Sequence, residues 1–262
     1  MTGAFMSELL KLRRRGLLLG GGGLLLGFTA LFTILGIENA TKGATRGRGF
    51  HVTVAELSQP DGLVRGIERA STLMGIVMLG IFAAAFGTEY TTGMLRNLLV
   101  REPRRVKFLT GKYLALLVFA VVIVLVACIV SIVLALALAP GKGIDTSAWT
   151  SSTGIADTWR AVWHLLVAAL GYGTVGAALA IIFRSPVAAL AIGVAWILPA
   201  EAILSALWSN GQFWLPGQLL SNFASGGSSS VSLARTGLTL VVYWAIIAVG
   251  TSMLFSRRDV AT

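Results

Sequence analysis

Charge is scarce in this sequence: 12% of its 262 residues are charged and 56% are hydrophobic, against roughly 25% charge in an ordinary soluble domain. In a soluble domain the apolar residues would be broken up by helical or strand periodicity, whereas here they form unbroken runs. Lipid is therefore the solvent the composition implies. Cysteine is almost missing too. The single Cys128 lies inside an apolar run, which excludes an intrachain disulfide framework and reads as packing. The only histidines, His51 and His164, have no carboxylate or cysteine at ligand spacing, so the pattern for a metal site is absent. A G-x-x-x-x-G-K-[ST] phosphate loop occurs nowhere, so the sequence offers no site for hydrolysing ATP.

The charge that is present is basic, with a formal net of +10. Nucleic-acid binders carry such charge on a solvated face. In this chain the lysines and arginines cluster between apolar runs, as membrane topology signals do, and no nucleic-acid partner is expected.

About 20 apolar residues cross the hydrocarbon of a bilayer. By that measure the sequence predicts an all-α, polytopic membrane protein with six transmembrane helices over 16–37, 71–88, 113–139, 161–183, 187–208 and 237–255. The second helix has an earlier possible start at Asp61, whose carboxylate would cap it. Pro140-Gly141 stops the third, and Arg184-Ser185-Pro186 folds the fourth and fifth into an antiparallel hairpin. Residues 209–235 contain an apolar stretch too short to span and broken by Pro216-Gly217, which predicts re-entrant outer half-helices. Lys and Arg are denser in the short flanks at the amino terminus, at 89–112, at Arg184 and at Arg257-Arg258. That places both termini in the cytoplasm.

Two stretches outside the spans are amphipathic. Residues 1–15, with Glu8, Lys11, Arg13 and Arg14 largely opposite Phe5, Met6, Leu9 and Leu10, predict an interfacial helix against anionic lipid; a bare topology signal is the alternative. Residues 89–112, EYTTGMLRNLLVREPRRVKFLTGK, are too polar for lipid yet place Leu95, Leu98 and Leu99 at helical spacing, with Arg96 on another face and Pro103 as a break. A short cytoplasmic docking helix fits this pattern, as does a basic loop held on headgroups.

Small residues recur within the spans. Gly171-Tyr172-Gly173-Thr174-Val175-Gly176 matches a dinucleotide fingerprint letter for letter, but it sits inside an apolar helix with no strand before it and reads as close helix packing. Gly16, Gly20, Gly23 and Gly27 read the same way. Glu201, beside Pro199 in the fifth helix, is an ionisable group at a depth where charge is costly. It lines a substrate path, fixes a bend at a dimer interface, or reaches outer water.

Residues 89–112 resemble the signature of ABC-2 type transporter permeases, with Glu89, Gly93, Arg96, Leu98, Leu99, Pro103, Arg105 and Lys112 in order at suitable spacings. Met94 stands where that family usually has Thr. Glu8-Leu9-Leu10-Lys11 is similar to the family's interfacial elbow helix, and the six-helix layout agrees. The resemblance implies that the chain is one permease domain that dimerises with a second permease copy. It also implies two copies of a separate ATPase subunit, which bind ATP and Mg and receive the coupling helix within 89–112. Glu89 would mark the membrane end of that helix, and Arg96, Arg104 or Arg105 would pair with carboxylates on the ATPase. The expected role is non-catalytic: an exporter's transmembrane subunit in a bacterial plasma membrane, binding no cofactor. The alternatives are an ATP-independent secondary transporter or channel, which calls for more intramembrane ionisable groups, and a membrane-embedded enzyme, which calls for a clustered nucleophile or metal site.

Overall fold

The computed structural model describes residues 17–40, 52–94, 105–227 and 231–257. Six helices in it are long and apolar enough to cross a membrane: Leu19–Glu38, Arg65–Thr91, Val106–Lys142, Ser152–Phe183, Pro186–Leu207 and Leu233–Phe255. The chain is a multi-pass helical membrane protein, and no strand occurs among the described residues.

In chain order the α-helices are α1 (Gly23–Glu38), α2 (Val54–Leu57), α3 (Arg65–Thr91), α4 (Arg105–Leu138), α5 (Ser152–Phe183), α6 (Pro186–Ala195), α7 (Glu201–Leu207), α8 (Pro216–Ala224) and α9 (Leu233–Arg257). The first span opens with a π-helical turn, Leu17–Gly22. The fifth span is α6 and α7 joined by a π turn, Trp196–Ala200, with Pro199 inside it. Proline removes a backbone N–H from the ladder, which accounts for the wider turn at that position. The end of the bundle where α3 finishes and α4 begins is termed the loop end, and the opposite end the cap end.

Helices α3 and α5 form the hub and share the largest interface. Glycines bring their backbones together. A Cβ on Gly176 would lie 2.2 Å from the Leu79 carbonyl oxygen, and one on Gly75 would lie 2.2 Å from the Tyr172 ring. The glycines of 171–176 are thus packing positions, as their place in an apolar helix predicts. In the first span the expected register is shifted. A Cβ on Gly20, Gly23 or Gly27 would meet nothing within 4 Å, whereas one on Gly21 would lie 2.7 Å from Ile81 and one on Gly22 3.3 Å from Ile123. The π turn widens the ladder there and turns a different edge toward α3 and α4. Gly16 lies outside the described residues. Deeper in, Thr33 and Ser131 share a 2.8 Å hydrogen bond that ties α1 to α4.

The other spans ring this hub. α1 packs on α3 and α4, α6 on α3 and α5, and α9 on α5 and α8. Across the apolar 18-residue stretch of each span, burial falls from 61% in α3 and α5 to 22% in α6–α7 and 11% in α9. The last two spans therefore offer most of their surface to lipid or to another chain.

Several helices outrun their apolar stretches. α5 starts at Ser152, before the expected 161, because the Ser151 hydroxyl accepts the Gly154 N–H and caps it. α4 starts at Arg105, since Thr110, Gly111 and Lys112 continue the helix beyond the apolar core. Asp61 does not cap α3. Pro60 opens a 3₁₀ turn, Pro60–Leu63, and the Asp61 carboxylate instead accepts a hydrogen bond from Arg65 at 2.7 Å.

A second apolar cluster, including Ile37, Val52, Leu57, Ile144 and Trp149, closes the cap end over α1 and α4. The Trp149 indole N–H donates to the Leu57 carbonyl at 2.8 Å. Lys142 pairs with Glu38 at 2.6 Å. The Thr53 backbone N–H donates to Glu56 at 3.1 Å and holds that carboxyl below the usual carboxylate range, with Arg65 adding to the effect.

Candidate functional site

At the loop end, α3 stops where Gly93 takes a left-handed backbone (φ 67°) that other residues adopt only with strain. One turn earlier, Glu89 meets Lys112 of α4 at 2.5 Å, with side chains 9% and 2% exposed. The Lys112 ammonium also lies 5.3 Å from the Phe86 ring centroid and 6.0 Å from that of Phe108. The last turn of α3 and the third turn of α4 are thus fastened to each other by a buried ion pair with aromatic rings around the cation. The α5–α6 turn seats against the same end of α3: a Cβ on Gly87 would lie 2.5 Å from the Pro186 nitrogen. Arg184 in that turn holds a left-handed backbone (φ 54°).

Of the residues expected at this site, Glu89 and Lys112 are brought together, and Gly93 ends α3 one turn after Glu89. Arg105 opens α4. Arg96, Leu98, Leu99, Pro103 and Arg104 lie outside the described residues, as do Glu8, Lys11, Arg13 and Arg14 of the predicted interfacial helix.

A second constellation lies deeper, around α8. Its first residue, Pro216, has no N–H, and the next two N–H groups, of Gly217 and Gln218, both donate to the Glu201 carboxylate at 2.8 Å. Leu215, at the cap position, makes no side-chain cap. Glu201 supplies it from another helix, and its negative charge faces the positive end of the α8 dipole. Glycine at 217 leaves the carboxylate its place, since a Cβ there would lie 2.7 Å from a Glu201 oxygen and displace it. Glu201 is fully buried, which removes the reading that it reaches outer water. Pro199 stands exposed in the π turn that sets the α7 register, two residues before Glu201.

Two tyrosines fix the same short helix. Tyr172 of α5 donates to the Gly217 carbonyl at 3.2 Å, and Tyr243 of α9 donates to the Trp214 carbonyl at 2.7 Å. Tyr172 lies about 17 Å from the loop end of α5, at 1.5 Å per residue. The first turn of α8 therefore lies well inside the length of the spans, away from the loop end.

Between α8 and the Glu89–Lys112 pair lie two chambers. One, of about 510 Å³, is walled by α5, the fifth span and α9, with Pro216, Gly217 and Leu220 on its α8 side. The other, of about 310 Å³, lies among α3, α4, α5 and α9 beside Tyr113, Thr174 and Thr251. Ala178 and Ile247 line both, so the chambers abut.

A family model described as a protein of unknown function, DUF2705, matches residues 48–261. The chain belongs to the DUF2705 family. That match takes in the loop-end ion pair, the Glu201 cap and both chambers, and so covers everything described above from the second span onward. No curated protein matches the chain.

Sequence reasoning named Glu89, Lys112 and Glu201 but paired none of them. It missed Tyr172 and Tyr243 as anchors of α8. Their available signal was a hydroxyl within an apolar helix, which needs a partner when buried.

Proposed function

We propose that this chain is the transmembrane permease subunit of an ABC-2 type ATP-binding cassette exporter. It forms the substrate path as a dimer and is driven by two copies of a separate ATPase. The observation that carries this reading is the buried Glu89–Lys112 pair, which ties the end of α3 to α4 on either side of the predicted coupling segment. Helices free of each other would absorb a push from a partner docked on the segment between them. With Glu89 and Lys112 paired, α3 and α4 would take that push as one unit.

From there the path is mechanical. α3 is packed on α5 through glycines that leave no slack at Gly75 and Gly176, and its loop end seats the α5–α6 turn at Pro186. A displacement of the loop on closure of the ATPases would move these helices together and alternate the access of the chambers between them. The loop end is then the cytoplasmic side, as the density of Lys and Arg there requires. The α8 segment becomes a re-entrant element of the outer half. No residue of this chain is assigned a bond-making step, and ATP and Mg belong to the partner. An ion-coupled secondary transporter is less well supported, because the deep carboxylate Glu201 already serves as a helix cap.

The docking half of the proposal predicts a clean separation of effects. Leu98→Asp with Leu99→Asp, or Arg96→Glu, should abolish association with the ATPase while leaving the thermal stability of the isolated permease unchanged. Retained association in these variants would remove 89–112 as the coupling segment.

A further inference from the structure

The chambers differ in chemistry, and the difference defines a guest. Among the described residues, no Lys, Arg, Asp or Glu lines either of them. The larger is walled by side chains such as Val175, Ile182, Ile192, Trp196 and Ile246. The polar groups at its α8 side are already paired: the Gly217 N–H with Glu201, and the Tyr243 hydroxyl with Trp214. A polar group placed there would lose its water and find no partner, which is unfavourable by roughly 1–3 kcal/mol on mutational scales. The larger chamber therefore suits hydrocarbon.

The smaller chamber carries hydroxyls, and the protons of its threonines are committed. Thr110 donates to the Val106 carbonyl at 2.8 Å, Thr174 to Leu170 at 2.7 Å and Thr251 to Ile247 at 2.6 Å. With its own proton on Leu170, the Thr174 oxygen accepts from the Tyr113 hydroxyl. What these threonines have left to offer is lone pairs. A guest group that donates hydrogen bonds is matched by the threonines, with Ser252 and Trp244 as the other donor-bearing side chains on the wall, whereas a phosphate or carboxylate would meet no cation among the described lining residues. The nearby cation, Lys112, is held by Glu89.

We propose that the two chambers form one binding site for an uncharged amphipathic molecule. Its hydrocarbon portion lies in the larger chamber, and a hydroxyl- or amide-bearing head lies against Thr110, Thr174 and Thr251 in the smaller. Each volume falls in the range of about 300–1,000 Å³ typical of small-molecule sites. That this guest is the transported substrate rests on the permease reading; its binding does not.

The test needs neither ATP nor a partner. The full chain in lipid nanodiscs is exposed to a diazirine-bearing monoacylglycerol or to its phosphate monoester, photolysed, and mapped by peptide mass spectrometry. The neutral probe should label peptides containing residues 175–182, 192–197 and 243–252 saturably. This labelling should exceed that around Val122 and Val133, which are exposed on α4. The phosphate form should bind at least about tenfold more weakly, equivalent to about 1.4 kcal/mol. Ala178→Phe, at the junction of the chambers, should suppress the saturable labelling. Ile246→Trp, at an exposed position on the mouth, should do the same without touching the packed core. Labelling spread evenly over the lipid-facing helices, or equal labelling by the two probes, overturns the proposal. Failure to find an ATPase partner would leave this result unaffected, so the two ideas fail separately.

Discussion

Lys112→Met destabilises the bundle by about 3–5 kcal/mol, the loss typical of leaving one charge of a buried pair uncompensated. Glu89→Gln acts in the same direction. The double variant Glu89→Gln, Lys112→Met recovers most of the stability, because two neutral side chains of similar volume leave no buried charge behind. Denaturant unfolding in mixed micelles measures all three, and the double-mutant cycle isolates the pair. Additive losses would mean that Glu89 and Lys112 act independently, against their 2.5 Å contact. Under the permease proposal the double variant has a second signature. It binds the ATPase but couples poorly, since α3 and α4 are no longer tied to each other.

Glu201→Gln separates α8 from the fifth span. The carboxylate accepts from both Gly217 and Gln218. An amide has one oxygen, and its NH₂ would be turned toward a backbone donor. One N–H is left unsatisfied and the charge–dipole term is lost, together on the order of 2–4 kcal/mol. Thermal unfolding reads the loss of stability. Maleimide labelling of Leu219→Cys, a buried α8 position, reads the local release in a Cys128→Ser background. In the wild-type context the thiol should stay protected, and with Glu201→Gln it should react. Protection unchanged by Glu201→Gln would show that Tyr172 and Tyr243 suffice to hold α8.

The spans were legible because hydropathy alone decides them, and all six apolar runs become helices. Their ends were less so. Hydropathy marks where lipid ends, not where a helix does, and α5 reaches back to a Ser151 cap that apolar counting cannot see. Pro199 signalled a disturbance in the fifth span, and the π turn at Trp196–Ala200 is its form. The partners of Glu201 were not readable: Gly217 and Gln218 lie across a turn and a 3₁₀ segment, and no periodicity links them to it. Likewise nothing local pairs Glu89 with Lys112, although both bound the segment that drew attention. The first-span glycines show the reverse failure. A regular spacing pointed to one edge of the helix, and a π turn presented its neighbours instead.

The central claim is that this chain works with a separate ATPase, and purification of the intact complex tests it most directly. The tagged full chain, extracted from its native membrane in mild detergent, should carry with it a second protein containing a G-x-x-x-x-G-K-[ST] phosphate loop, in about equal amount. Recovery of the chain without any ATPase, together with no ATP-driven transport in vesicles after candidate ATPases are added, would contradict the account.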